Sequence, residues 1–114
     1  MTPEGKVKSD VKKVLHRWGC IRAGSKENTW PEIKTGWYYM PTNNGMGVHG
    51  IPDFIGFYQG EFFAIETKAP GKLDGTTPNQ KNRHNEIRTV KGRILVVDNA
   101  WEVDRWFSAD RPLT

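Results

Sequence analysis

Residues 53 to 68, DFIGFYQGEFFAIETK, constrain the fold more than any other stretch of the chain. Two runs rich in Phe, Ile and Tyr flank Gln59-Gly60. Such runs on either side of a Gly-containing dipeptide predict a β-hairpin. With Gln59 and Gly60 as the turn, opposed positions sum to 119, so Asp53 faces Glu66 across the ladder. Side chains alternate along a strand, so Lys68 shares the Glu66 face and Thr67 points the other way. Two carboxylates and an ammonium thus converge on one side of one hairpin. Like charges directly opposed destabilise a sheet, more so when desolvated. A hard divalent cation removes the conflict, because carboxylate oxygens are its preferred ligands. A surface hairpin with scattered charges, Lys68 neutralising Glu66, is the other reading that the spacing leaves open.

The rest of the chain predicts a small α/β domain around this hairpin. Its 114 residues are enough for one domain, 1–114, with one core. Thr2-Pro3-Glu4 reads as a helix start, with Thr as N-cap and Pro in the first position. Val7, Val11, Val14, Leu15 and Trp18 continue it as an apolar stripe that Gly19 ends. Residues 23 to 36 are polar and turn-rich, and Trp37 to Met40 reads as a strand. Residues 41 to 50, PTNNGMGVHG, read as irregular. Thr77-Pro78 repeats the capped start and opens a helix to about Val90. Ile94 to Val97 reads as a strand buried on both faces, and Asn99 caps a last helix carrying Trp101, Val103, Trp106 and Phe107. The order α-β-β-β-α-β-α makes the last strand parallel to its predecessor through a helical crossover. A mixed sheet flanked by helices follows.

Charge and cysteine content narrow the class. The formal net charge is +4 and the pI about 9.3, which suits an anionic partner. Lys6, Lys8, Lys12, Lys13, Arg17 and Arg22 crowd the first helix region, and Lys81, Arg83, Arg88, Lys91 and Arg93 the second. Each set reads either as a solvated face or as a flank for a phosphate backbone. A lone Cys20 excludes an internal disulfide and a Cys-rich zinc site and fits a reducing cytoplasm. The three His are too scattered for a metal motif. No apolar run approaches a membrane span, and the basic N-terminus lacks an apolar signal region.

Other candidates stand beside the hairpin. Glu4 shares a helical face with Val7, Val11 and Leu15, so it is expected to point inward, either as a carboxylate on the helix dipole or as a third metal contact. Gln80 shares a face with Ile87 and looks toward the sheet. The glycine-rich loop before Pro52 suits close approach of another backbone, a substrate's or a partner subunit's, or plain flexibility. His49, four residues before Asp53, is a candidate for a substrate phosphate or merely an exposed side chain.

Taken together, Gly50-Ile51-Pro52-Asp53-Phe54-Ile55-Gly56, Ile65-Glu66-Thr67-Lys68 and Thr77-Pro78-Asn79-Gln80 resemble the VRR-NUC branch of the PD-(D/E)XK nucleases, in its stand-alone phage and bacterial form. That resemblance implies a restriction-endonuclease-like αβββαβ core. It implies that Asp53 and Glu66, with the Thr67 carbonyl, bind Mg²⁺ or Mn²⁺. Lys68 would orient or activate the attacking water and stabilise the developing phosphorane charge. Glu4 matches the acid on the family's first helix, and Gln80 the glutamine of the following helix. The activity implied is metal-dependent, structure-specific cleavage of DNA, with Holliday-junction resolution by a homodimer first. A flap, nick or end-processing nuclease and a non-catalytic basic DNA-binding module are the rivals. Lys8, Lys12, His49, Lys81 and Arg83 are the expected DNA contacts, and the cytoplasm of a bacterium or phage-infected host the expected location.

Overall fold

The computed structural model describes residues 1–42 and 47–109. In chain order they form α1 (Pro3–Arg17), β1 (Cys20–Arg22), a 3-10 turn at Glu27–Thr29, β2 (Gly36–Tyr39), β3 (Phe54–Tyr58), β4 (Glu61–Thr67), α2 (Pro78–Thr89), β5 (Arg93–Val97) and α3 (Ala100–Ser108). The five strands lie in one sheet in sequence order, β1-β2-β3-β4-β5. Both ends of the sheet are parallel pairs, β1 with β2 and β4 with β5, while β2, β3 and β4 are mutually antiparallel. This is the expected α/β architecture with one strand more.

The hairpin has the register that its turn dictates, Phe54 opposite Ile65 and Tyr58 opposite Glu61. Gln59 and Gly60 both have positive φ, 51° and 81°, the backbone of a two-residue turn whose twist matches the flanking strands. Extending the ladder by one position sets Asp53 against Glu66.

Each helix begins as its sequence requires. Thr2 Oγ1 accepts from the Gly5 N–H at 2.9 Å, and Asn99 Oδ1 from the Glu102 N–H at 3.1 Å. Val7, Val11, Val14 and Leu15 of α1 are buried, as are Val103 and Phe107 of α3. They pack against Phe54, Tyr58, Phe63 and Ile65 on one face of the sheet. Phe107 holds this seam together, with its ring 4.6 Å from that of Tyr58 and 5.5 Å from that of Phe63. Helix α2 covers the opposite face, where Phe62 and Glu66 point. Among the described residues, no helix is long and apolar enough to cross a membrane.

Three expectations are corrected. Residues 20 to 22 form β1, an edge strand that the sequence reading passed over. Residues 23 to 36 are not all loop, since they include the 3-10 turn and the first residue of β2. Strand β5 is not buried on both faces: only Val97 is buried, because β5 is an edge strand with one neighbour.

Candidate active site

The open end of the hairpin and the start of α2 build one polar cluster. Asp53 follows the fully buried Pro52 and sits just before β3. Its Oδ2 accepts from the Thr67 N–H at 2.8 Å and from the Thr67 hydroxyl at 2.7 Å. Thr67 keeps its place in β4, paired with Val97, and it is the Asp53 side chain that comes to it. Asp53 lies beyond the last ladder pair, so its carboxylate reaches past the end of the strand to both donors. Asp53 is thereby locked through one oxygen.

Glu66 is buried with 3% exposure. Its Oε2 accepts from Gln80 Nε2 at 3.2 Å. Its Oε1 has no hydrogen-bond partner. Burial first, and the Asp53 charge second, push the Glu66 carboxyl up to about 8. The Lys68 charge works in the opposite direction and does not win. A buried carboxyl with an orphaned oxygen beside a second carboxyl is the donor set that a hard cation satisfies.

Lys68, also buried, donates to Gln80 Oε1 at 2.6 Å and to the Gly75 carbonyl at 3.2 Å. Gln80 in turn belongs to the capping box of α2. Its Oε1 accepts from the Thr77 N–H at 2.9 Å, and its own N–H donates to Thr77 Oγ1 at 3.2 Å. One amide therefore ties together Glu66, Lys68 and the start of α2. Thr77-Pro78-Asn79-Gln80 is needed in that order for the helix, and the helix start sets the amide over the carboxylate.

Glu4 and Lys8 close the cluster from α1. The Lys8 ammonium lies 3.3 Å from Glu4 Oε2 and 3.6 Å from Asp53 Oδ1. Burial works against the Lys8 charge, but Asp53 and Glu4 outweigh it and hold its pKa above the ordinary 10.5. Glu4 does not point into the core as its helical position suggested. Its side chain is 43% exposed, at the rim, where Lys8 meets it. Among the described residues, no group of three His, Cys, Asp or Glu side chains is arranged to hold a metal. Two carboxylates and a backbone carbonyl remain as the candidate donors, a set that suits Mg²⁺, which keeps most of its waters.

The remaining expected contacts divide. Lys81 is exposed in the first turn of α2, beside Gln80. His49 is exposed, and its carbonyl accepts from Arg83 Nη1 at 3.1 Å. Arg83 also donates to Glu86 at 2.9 Å, and its side chain is 19% exposed. It pins the 47–50 loop to α2 rather than projecting to solvent. Lys12 lies two turns beyond Glu4, roughly 12 Å along α1, and lines a separate hollow with His16, Cys20 and Trp30. Lys8 turns toward the carboxylates. Burial pushes the Cys20 thiol up to about 12, in keeping with a purely structural cysteine.

The close approach expected of the glycine-rich loop is to the chain's own helix. A side chain on Gly50, φ +86°, would stand 2.4 Å from the backbone of Asn79. The loop and α2 leave a cleft of about 270 Å³ beside Asp53 and Gln80, walled by Val48 and Ile51. Asn43, Asn44, Gly45 and Met46 of the 41–50 segment lie outside the described residues.

Sequence reasoning missed His84. It is 3% exposed, and its Nε2, without a hydrogen-bond partner, lies 3.9 Å from Glu66 Oε1. Burial, then the Arg88 and Lys68 charges, lower its pKa, so it faces Glu66 as a neutral ring. The signal was the i, i+4 spacing from Gln80, which puts both side chains on one face of α2.

A mixed five-stranded sheet with helices on both faces carries a carboxylate pair at the hairpin's open end, and together they define an α/β fold with a polar cluster at one end of the sheet. No protein-family model matches the sequence, and no curated protein matches it. The chain is similar to a solved structure described as "VRR_NUC domain", with a TM-score of 0.65 and 21% identity, covering 97% of this chain and 100% of that one. The chain shares the fold of that domain over nearly its whole length.

Proposed function

We propose that this chain is a metal-dependent endonuclease that hydrolyses phosphodiester bonds in DNA, acting as a homodimer on branched DNA, four-way junctions first. The observation that carries the reading is the carboxyl pair: Glu66 is buried with an oxygen that nothing in the protein satisfies, and burial and the neighbouring Asp53 disfavour its charge. Asp53, Glu66 and the Thr67 carbonyl would hold Mg²⁺ or Mn²⁺. Bound there, such an ion supplies Lewis acidity to the phosphate and lowers the pKa of its water. Lys68, oriented by Gln80 and Gly75, puts an ammonium where the phosphoryl oxygens gain charge. Gln80 keeps that ammonium and Glu66 in a fixed relation. The fold and the basic balance, +4, support DNA as the substrate.

The homodimer has support of its own. Trp37 opposes Phe57, and Tyr39 opposes Ile55, on the face that carries Glu66 but beyond the cover of α2. Trp37, Tyr39 and Phe57 are 42%, 46% and 49% exposed, an uncharged aromatic patch suited to a second copy.

The test is cleavage of a labelled four-way junction, a flap and a plain duplex with Mg²⁺ or Mn²⁺, wild type beside Asp53→Ala and Lys68→Ala. Paired symmetric cuts in the junction, lost in both variants, are expected. Preference for the flap would reassign the substrate while keeping the chemistry. No cuts in any DNA, with junction binding intact in EDTA, would leave a binding module instead.

A further inference from the structure

We infer that Lys8 is the resident cation of the position between Glu4 and Asp53, so that this chain takes one divalent ion and fills the neighbouring carboxylate position with its own ammonium. The inference rests on the metal-site reading above and deepens it. Asp53 Oδ2 is fully engaged by the Thr67 N–H and hydroxyl. The other oxygen, Oδ1, is the one that faces Lys8, at 3.6 Å, and the same ammonium stands 3.3 Å from Glu4. An ammonium between two carboxylates does the electrostatic work of a bound cation there.

The backbone makes this a fixed feature rather than a surface encounter. Val7 and Val11, on either side of Lys8, are 4% and 0% exposed, so α1 cannot shift without opening the core. Glu4 lies one turn before Lys8, the i, i+4 order that favours a Glu–Lys pair. The Lys8 side chain is itself 32% exposed, against 64% for Lys6 on the same helix. Lys6 pairs with Asp10 at the surface, whereas Lys8 reaches across to the hairpin.

Charge balance agrees. Glu4, Asp53 and Glu66 bring three negative charges, which one divalent ion and one ammonium neutralise. Lys68 is then left to face the single charge of a phosphodiester. A second divalent ion on Glu4 and Asp53 requires Lys8 to leave.

The experiment is calorimetric titration of Mn²⁺ into the full chain at fixed pH: wild type, Lys8→Met, Lys8→Met with Glu4→Gln, and Asp53→Asn. Methionine keeps the length and packing of the lysine stem, and thermal unfolding checks each variant's fold. The wild type is expected to bind one ion and Lys8→Met two, with the double variant returning to one and Asp53→Asn losing the wild-type site. Junction affinity in EDTA should be the same for wild type and Lys8→Met. One ion in Lys8→Met, at wild-type or tighter affinity, would overturn the inference while leaving the metal site standing. So would a roughly tenfold loss of junction affinity in EDTA, which would make Lys8 a phosphate contact. No Mn²⁺ binding by the wild type would remove both readings.

Discussion

On one face of the sheet, α1 and α3 bury Val7, Val11, Leu15, Val103 and Phe107 against Phe54, Phe63 and Ile65. On the other, α2 buries a single residue, His84, and among the side chains that it meets are Glu66 and Lys68. The first seam is aromatic and apolar, and its burial favours folding without condition. The second holds a buried carboxyl beside another acid, a buried ammonium and a neutral imidazole, none of which belongs in a dry interior. The start of helix α2 is tied to that face by polar contacts, Gln80 to Glu66 and Lys68 to Gln80. The difference teaches that the molecule separates its sources of stability from its chemistry: one face anchors the hairpin so that the other can keep groups in unfavourable proximity.

The sharpest way to break that contrast is to cut into each face in turn. Phe63→Ala, on the apolar face, should cost about 3–5 kcal/mol in urea unfolding. The fraction that remains folded should still cleave, since Phe63 points away from Glu66. Loss of cleavage out of proportion to unfolding would show that the faces are not independent.

Glu66→Gln should do the opposite. Glu66 has an ordinary value of 4.5 and is raised to about 8 in the fold. Below 4.5 both folded and unfolded chains hold the proton, and its contribution to stability is complete. As pH rises toward about 8, the unfolded chain has lost the proton that the folded chain keeps, so the metal-free protein loses stability through that window. An uncharged amide removes the penalty. Metal-free Glu66→Gln should therefore gain about 1–3 kcal/mol over wild type above pH 8 and lose cleavage. A variant less stable than wild type at high pH would contradict the strained pair.

Thr77→Ala should cost about 1 kcal/mol, the loss of one cap. It should also weaken cleavage, because the same box orients Gln80. Unchanged cleavage would mean that the amide is held by Lys68 and Glu66 alone. The smallest effect belongs to Lys6→Ala, which removes an exposed i, i+4 pair with Asp10 and should change stability by less than about 0.5 kcal/mol.

How much of this the sequence revealed depends on range. The hairpin register followed from Gln59-Gly60 and strict alternation, both local, and so did the three helix starts. Strand β1 was hidden because three residues directly after a helix carry no period, and its only pairing is with β2, sixteen residues on. The run Ile94 to Val97 reads as buried, but edge position in a sheet is a property of the whole order of strands. In the site, Asp53 against Glu66 was legible because one turn sets both. The Thr67 hydroxyl bond was not, since Asp53 lies just outside the ladder and alternation does not say how far its carboxylate reaches. Lys8 was assigned to phosphates and Glu4 to the interior for one reason: a helical wheel gives direction but not the carboxylate waiting on another element. His84 needed α2 docked on β4 before its spacing from Gln80 meant anything.

The most direct test of the strained acid pair is the thermal unfolding of wild type across pH 5 to about 9, in EDTA and in excess Mn²⁺. In EDTA the Tm should fall as pH rises toward about 8, and Mn²⁺ should restore it, with the largest gain at the alkaline end, where the cation no longer competes with the proton on Glu66. A Tm that Mn²⁺ leaves unchanged at every pH would mean that Asp53 and Glu66 hold no metal.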